Sequence, residues 1–200
     1  MLNTLIPLAD YNLLFAVGAA GICTINMLIA VRIICRAAMV SGRSRTKRLL
    51  FAAAVAGNGV WATHFIAMLG CPHSFSTLYR LLPTLLSFIV ATGLFLPAWR
   101  NEIQTSNRSL SPATALYMTL AVGGMHYIGI FAINIRDVLV NMPAYHIVIS
   151  ILPGFILFYI GTIFLRREKG AKRSLAALWW LLAVCCLHFL GMPQKMQAAD

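Results

Sequence analysis

The chain is poor in acid. Five of its 200 residues are Asp or Glu, against 16 Lys and Arg, and charged residues of both signs make up only 10% of the total. That leaves too little polar surface to cover a soluble domain of this length, so a free-standing soluble fold is excluded. The five acids, Asp10, Glu102, Asp137, Glu168 and Asp200, fall at the ends of apolar runs or between them. There is no carboxylate pair, no Gly-rich phosphate loop and no Ser/His/Asp set, which argues against hydrolytic catalysis and gives no ground for an enzyme. The cysteines, Cys23, Cys35, Cys71, Cys185 and Cys186, form no CxxC pair, and a disulfide framework is not expected. A basic leader region is missing as well, so the first apolar run reads as a retained helix rather than a cleaved signal.

What the chain has in abundance is hydrocarbon. Hydrophobic residues make up 60% and the mean hydropathy is +0.81, as in an integral membrane protein. A span needs about 20 apolar residues, and six stretches qualify: Tyr11 to Ile34, Leu49 to Leu69, Leu78 to Trp99, Pro112 to Ile135, Tyr145 to Leu165 and Ser174 to Met192. Backbone groups in hydrocarbon must be satisfied within their own segment, so all six are predicted as helices and the fold class is all-α. Ser111 and Ser174 are placed to cap the fourth and sixth helices, and Pro83, Pro97 and Pro153 should kink or end the third and fifth. Asn26, Asn58 and Asn134 lie within apolar spans and are expected to hydrogen-bond between helices.

The positive charge is distributed unevenly. Thirteen of the 16 basic residues lie on one side of the predicted spans, in or beside the segments after helices one, three and five; Arg80, Arg136 and Lys195 lie on the other. By the positive-inside rule the thirteen face the cytoplasm and both termini face outward. Such loops set topology and meet membrane lipid, and no nucleic-acid partner is expected.

One stretch occurs three times: W-A-T-H-F-I-A-M at Trp61 to Met68, G-M-H-Y-I-G-I at Gly124 to Ile130 and C-L-H-F-L-G-M at Cys186 to Met192. The histidines, His64, His126 and His188, are separated by 62 residues in each case, which marks an internal repeat. Each is followed by an aromatic residue (Phe65, Tyr127, Phe189) and, three positions on, by a small one (Ala67, Gly129, Gly191). The chain is therefore read as a single domain, 1–200, of three two-helix repeats at about 11–69, 78–135 and 145–192, packed with pseudo-threefold symmetry. Two helices per repeat bring successive copies into the bilayer in the same direction. The three histidines then share one depth, in the outward halves of helices two, four and six, beside faces of small residues that let helices approach closely.

Met68 and Met192 follow their histidines by four residues and Met125 directly precedes His126, so each copy sets a thioether beside an imidazole. Thioether sulfur is a poor ligand for Zn²⁺, Mg²⁺ or Ca²⁺, whereas copper, especially Cu(I), accepts both groups. The predicted metal ligands are His64, Met68, Met125, His126, His188 and Met192, with copper as the expected ion and haem iron as the alternative. An ion with an open position in an apolar pocket suits a diatomic gas. Tyr127 is a candidate to orient such a ligand or to anchor at the interface, and His146 a candidate fourth imidazole. His73 beside Cys71 is a weaker candidate for loading metal.

The stretch M-H-Y-I-G at Met125 to Gly129, with its two relatives, resembles the MHYT family of bacterial integral-membrane sensor domains. The resemblance covers nearly the whole chain. It implies a bacterial inner-membrane location and a copper site formed by the three histidines and three methionines just named. It also implies sensing of oxygen, carbon monoxide or nitric oxide, relayed to cytoplasmic signalling domains such as those for cyclic-di-GMP. Six spans leave the C-terminus outside, so output is expected through a separate cytoplasmic or membrane signalling protein, or through a further C-terminal helix not included in these residues. Two other functions fit the same residues: a haem-binding electron-transfer protein, and a metal transporter or chaperone, the latter with no second ligand cluster in the inner half of any span to help it.

Overall fold

A computed structural model describes residues 12–70, 78–105, 112–134, 138–140, 144–192 and 196–198. Among these residues are six helices long and apolar enough to cross a membrane: α1 (Leu13–Ala38), α2 (Gly42–Leu69), α3 (Leu81–Gln104), α4 (Ala113–Phe131), α5 (Ala144–Arg167) and α6 (Leu175–Leu190), the last reaching that length together with the turn Gly170–Ser174 before it. The protein is a helical, multi-pass membrane protein. Four short strands accompany the helices: β1 (Leu78–Tyr79), β2 (Ile133–Asn134), β3 (Val138–Val140) and β4 (Met196–Ala198).

Side-chain size is distributed as lipid dictates. Leu14, Val17, Leu82 and Phe131 are all more than two-thirds exposed, while the core is rich in alanine, among them Ala30, Ala56, Ala98, Ala121 and Ala183 with no exposure at all. Leucine gains nothing by leaving lipid, so the interior goes to small residues that bring backbones together. A Cβ on Gly57 would lie 2.6 Å from the Thr92 backbone, and one on Gly59 2.5 Å from Asn26 Cβ, so α2 is seated directly on α3 and α1 at these points. Between 39% and 61% of the spans of α2, α4 and α6 is buried, against 22–28% for α1, α3 and α5, which puts the even-numbered helices at the centre.

Helices pair as consecutive neighbours, α1 with α2, α3 with α4 and α5 with α6, and a contact between α1 and α6 closes the ring. Each pair is tied at the end away from the basic connections. Asn12 N donates to Gly70 O at 2.9 Å, and Arg80 N to Ala132 O at 2.7 Å beside the antiparallel β1–β2 pair. The β3–β4 pair, with Leu139 opposite Gln197, does the same for α5 and α6. At the basic end, α1 to α2 and α5 to α6 turn by one device. Gly42 and Gly170 adopt φ of 59° and 58°, conformations cheap only for glycine. Three residues on, Arg45 Nε donates to Val40 O at 2.6 Å and Arg173 Nε to Glu168 O at 2.7 Å.

Several local expectations change. α2 starts at Gly42, because the helix continues through Arg43, Arg45, Lys47 and Arg48 where hydrophobicity stops. Pro97 and Pro153 lie inside α3 and α5 and end neither. Ser174 makes no side-chain cap, since a 3₁₀ turn, Gly170–Ser174, leads into α6; Ser111 lies outside the described residues. Asn26 donates to Ile22 O of its own helix at 2.9 Å, and Asn58 is exposed. The Asn134 side chain falls outside the described residues.

Candidate metal centre

The three histidines meet. His64 on α2, His126 on α4 and His188 on α6 are 2%, 1% and 5% exposed, and the ligand atoms they offer all lie within 4.8 Å of one another. His64 Nδ1 is 3.2 Å from His126 Nδ1 and 3.2 Å from His188 Nδ1. The rings are nearly perpendicular in pairs, at 77° to 83°, with centroids 5.0 to 5.2 Å apart. Helices two, four and six enter from the same end and carry the residue at the same interval, so the imidazoles arrive at one level.

The repeated neighbours of each histidine have definite jobs. The aromatic residue that follows sets its edge or face against the ring: Phe65 on His64 at 4.9 Å, Tyr127 on His126 at 5.0 Å and Phe189 on His188 at 5.1 Å, all close to T-shaped. The small residue three positions on seats the ring of another copy. A Cβ on Gly129 would fall 2.5 Å from His64 Nε2, and one on Gly191 2.7 Å from His126 Nε2. These glycines serve close approach rather than backbone freedom.

The donor set suits a cation. A neutral imidazole offers one donor and one acceptor, so His64 Nδ1 cannot make two full hydrogen bonds to two other Nδ1 atoms. None of the three Nε2 atoms meets hydrogen-bond geometry, although the Gly191 backbone lies close enough to His126 to polarise it. Buried capacity left unmet in this way calls for an ion or another partner. A tetrahedral ion about 2.0 Å from each nitrogen needs them about 3.3 Å apart; His64 has that spacing to both other rings, and the ligand atoms of the set stay within 4.8 Å of one another. Three legs of such a site would be filled and one left open.

Met68, Met125 and Met192 are buried, at 6%, 1% and 8% exposure. The Tyr127 hydroxyl is hydrogen-bonded to Ser150 on α5. His146 lies on α5, but its side chain falls outside the described residues, as do His73 and Cys71. Cys23, Cys35, Cys185 and Cys186 are free thiols.

A second polar cluster, at the basic end, was not legible as such. Glu102 on α3 is buried and accepts twice from Arg166 on α5, from Nε at 3.0 Å and Nη2 at 2.7 Å. Thr114 on α4 accepts from Arg166 at 3.2 Å and from Asn101 at 2.8 Å. Glu102 had read as a span-end acid and Arg166 as a topological charge. The available signal was an acid on the basic side, 64 residues from an arginine, close to one repeat length.

Six apolar helices enclosing three buried imidazoles define a multi-pass membrane domain organised around a central ligand cluster. The chain belongs to the MHYT family, described as the bacterial signalling protein N-terminal repeat, whose model matches residues 57–113 and 120–178. It is a signalling domain of that type. It is 33% identical over 190 residues to an uncharacterized signaling protein of Caulobacter vibrioides, an alignment covering 92% of this chain and 23% of the relative. It is 25% identical over 197 residues to the bifunctional diguanylate cyclase/cyclic di-GMP phosphodiesterase MucR of Pseudomonas aeruginosa, covering 92% and 28%. The chain thus spans about a quarter of the length of these relatives. No solved structure matches it.

Proposed function

We propose that this domain binds one copper ion through His64, His126 and His188, with sulfur from Met68, Met125 and Met192 available beside them, and senses a diatomic gas there. The observation that carries the reading is the pair of 3.2 Å separations between Nδ1 atoms, the spacing of ligands around a single ion. Copper is preferred because the repeated stretch pairs imidazole with thioether. A bound copper ion would supply an open coordination position for oxygen, carbon monoxide or nitric oxide. The chain's own residues hold the three rings at fixed mutual angles, wall them with Phe65, Tyr127 and Phe189, and exclude water by burial.

The haem reading needs two of these rings on opposite faces of a porphyrin, whereas His64 touches both others at hydrogen-bond distance, which favours a single ion. The transporter reading needs a way towards the basic end. That half of the core holds Phe95, Trp99 and Trp180, fully buried and packed ring on ring at 5.2 and 5.4 Å, which favours a closed site. The excess of positive charge at one end supports a reading with the basic end in the cytoplasm, the domain in the bacterial inner membrane and the histidines near the outer face. Output runs through signalling domains, either attached or on a partner chain, and turnover of cyclic-di-GMP is the reading that the MucR similarity supports.

Elemental analysis and a visible spectrum of the detergent-purified protein test the centre. Wild type should retain about one copper per chain without a Soret band, and a variant with all three histidines changed to Ala should retain none. Removing copper with a chelator should lower wild-type stability, by about 2.7 kcal/mol relative to free metal at 100 times its Kd, and leave the variant unchanged. Equal metal in both proteins would overturn the assignment.

A further inference from the structure

The three histidine edges are not seated alike. His64 Nε2 rests on Gly129 and His126 Nε2 on Gly191, each so closely that a methyl group there would displace the ring or the helix. The residue at the corresponding position of the first copy is Ala67, and there the packing opens. A cavity of about 20 Å³ lies between α1, α2 and α6, with His188, Ala67 and Cys185 in its wall and Ala16 and Ala20 of α1 on the far side. His188, 5% exposed, is the member of the histidine cluster that lines this space.

We propose that this cavity is the antechamber through which a small neutral ligand reaches the metal centre, arriving at the His188 side between α1 and α6. The proposal rests on the reading of the three histidines as a metal centre. Its volume holds about one water-sized or diatomic molecule. Its chemistry selects against polar ones. The Thr63 hydroxyl is directed at backbone carbonyls, Ala19 O at 3.2 Å and Gly59 O at 2.7 Å, and most of the remaining lining is alanine, with Val184 and Phe189 beside Cys185 and His188. A water would find few of the two to four partners it needs, whereas oxygen, carbon monoxide or nitric oxide, which dissolve readily in hydrocarbon, need none. At the corresponding points of the other two copies the glycines lie against His64 and His126, so among the described residues the break in symmetry at Ala67 marks the His188 side as the route.

The test uses the full chain in detergent, loaded anaerobically with Cu(I), with carbon monoxide and xenon as probes. Ala20→Leu fills the cavity from α1, Ala16→Leu is the second filling variant should the first fail to fold, and Val17→Leu is the control on the lipid-facing side, where Val17 is 68% exposed. The filling variant should keep its copper yet rebind carbon monoxide after photolysis roughly tenfold more slowly, with the control like wild type. Xenon, located by anomalous scattering from pressurised crystals, should occupy the cavity in wild type and be absent from the filling variant. Unchanged rebinding in a copper-loaded filling variant would overturn the route. Should wild type hold no copper, the metal reading fails separately and xenon alone decides: occupancy lost on filling supports a small-ligand cavity, and no occupancy in wild type overturns it.

Discussion

Among the described residues, two clusters of polar side chains stand at opposite ends of the bundle, and they are satisfied to different degrees. At the basic end Glu102, Arg166, Thr114 and Asn101 form hydrogen bonds in which the carboxylate uses both oxygens and the arginine donates through two nitrogens. At the other end His64, His126 and His188 crowd three Nδ1 atoms together and leave three Nε2 atoms without partners. Both groups carry the cost of removing polar atoms from water or headgroups. The first recovers it inside the protein by cross-linking α3, α4 and α5. The second leaves its Nε2 atoms outside hydrogen-bond geometry, and the proposed binding centre rests on that contrast.

The largest effect should come from breaking the closed network. Glu102→Ala leaves the Arg166 guanidinium buried without its counter-ion, and loss of one partner of such a pair costs about 3–5 kcal/mol. Denaturant unfolding in micelles should show that loss, while copper per chain stays at the wild-type level because the histidines are carried by α2, α4 and α6. Loss of metal along with stability would mean that the two ends are coupled and the contrast is false.

Gly129→Ala tests the open cluster by pressing on it. The new methyl would fall 2.5 Å from His64 Nε2, so the ring or α4 must move. Overpacking of this kind costs about 1–3 kcal/mol, and copper should bind more weakly because one of three legs is displaced. Gly93→Ala is the matched control. Nothing lies within 4 Å of its Cβ, so it should be neutral or gain up to about 1 kcal/mol of helix propensity with copper affinity unchanged. Equal behaviour of the two variants would show that Gly129 is not the seat of the His64 ring.

What the sequence made legible follows from period. Six spans could be counted because each satisfies its own backbone, and the histidines could be placed at one level because their interval of 62 residues contains two helices. The small residues at 67, 129 and 191 were visible as a close-packing face, but not as seats for imidazoles of other copies, since that depends on which helix turns toward which. The Glu102–Arg166 pair escaped for the same reason. A charge at a span end satisfies the topology rule by itself, and only the packing of α5 on the α3–α4 pair reveals that both members are buried. Asn26 was misjudged because its amide turns back to Ile22 O, a bond invisible to any argument about which faces are polar.

Tyr127→Phe should have the smallest effect and places the boundary between the two kinds of group. The residue stands beside His126 in the repeated stretch, so it belongs by position to the open cluster. Its hydroxyl, however, pairs with Ser150 on α5, whose Oγ also reaches Ile147 O at 3.0 Å, so by bonding it belongs with the satisfied groups. If bonding governs, removing the hydroxyl costs one ordinary hydrogen bond, about 0.5–1.5 kcal/mol, and leaves both copper content and the carbon monoxide stretching frequency of the Cu(I) protein as in wild type. If position governs, the frequency shifts because a dipole beside the bound ligand has been lost, and stability hardly changes. Measuring both in the same variant decides whether the aromatic residue after each histidine acts as a wall alone, as Phe65 and Phe189 must, or whether the second copy has added a polar contact to the centre.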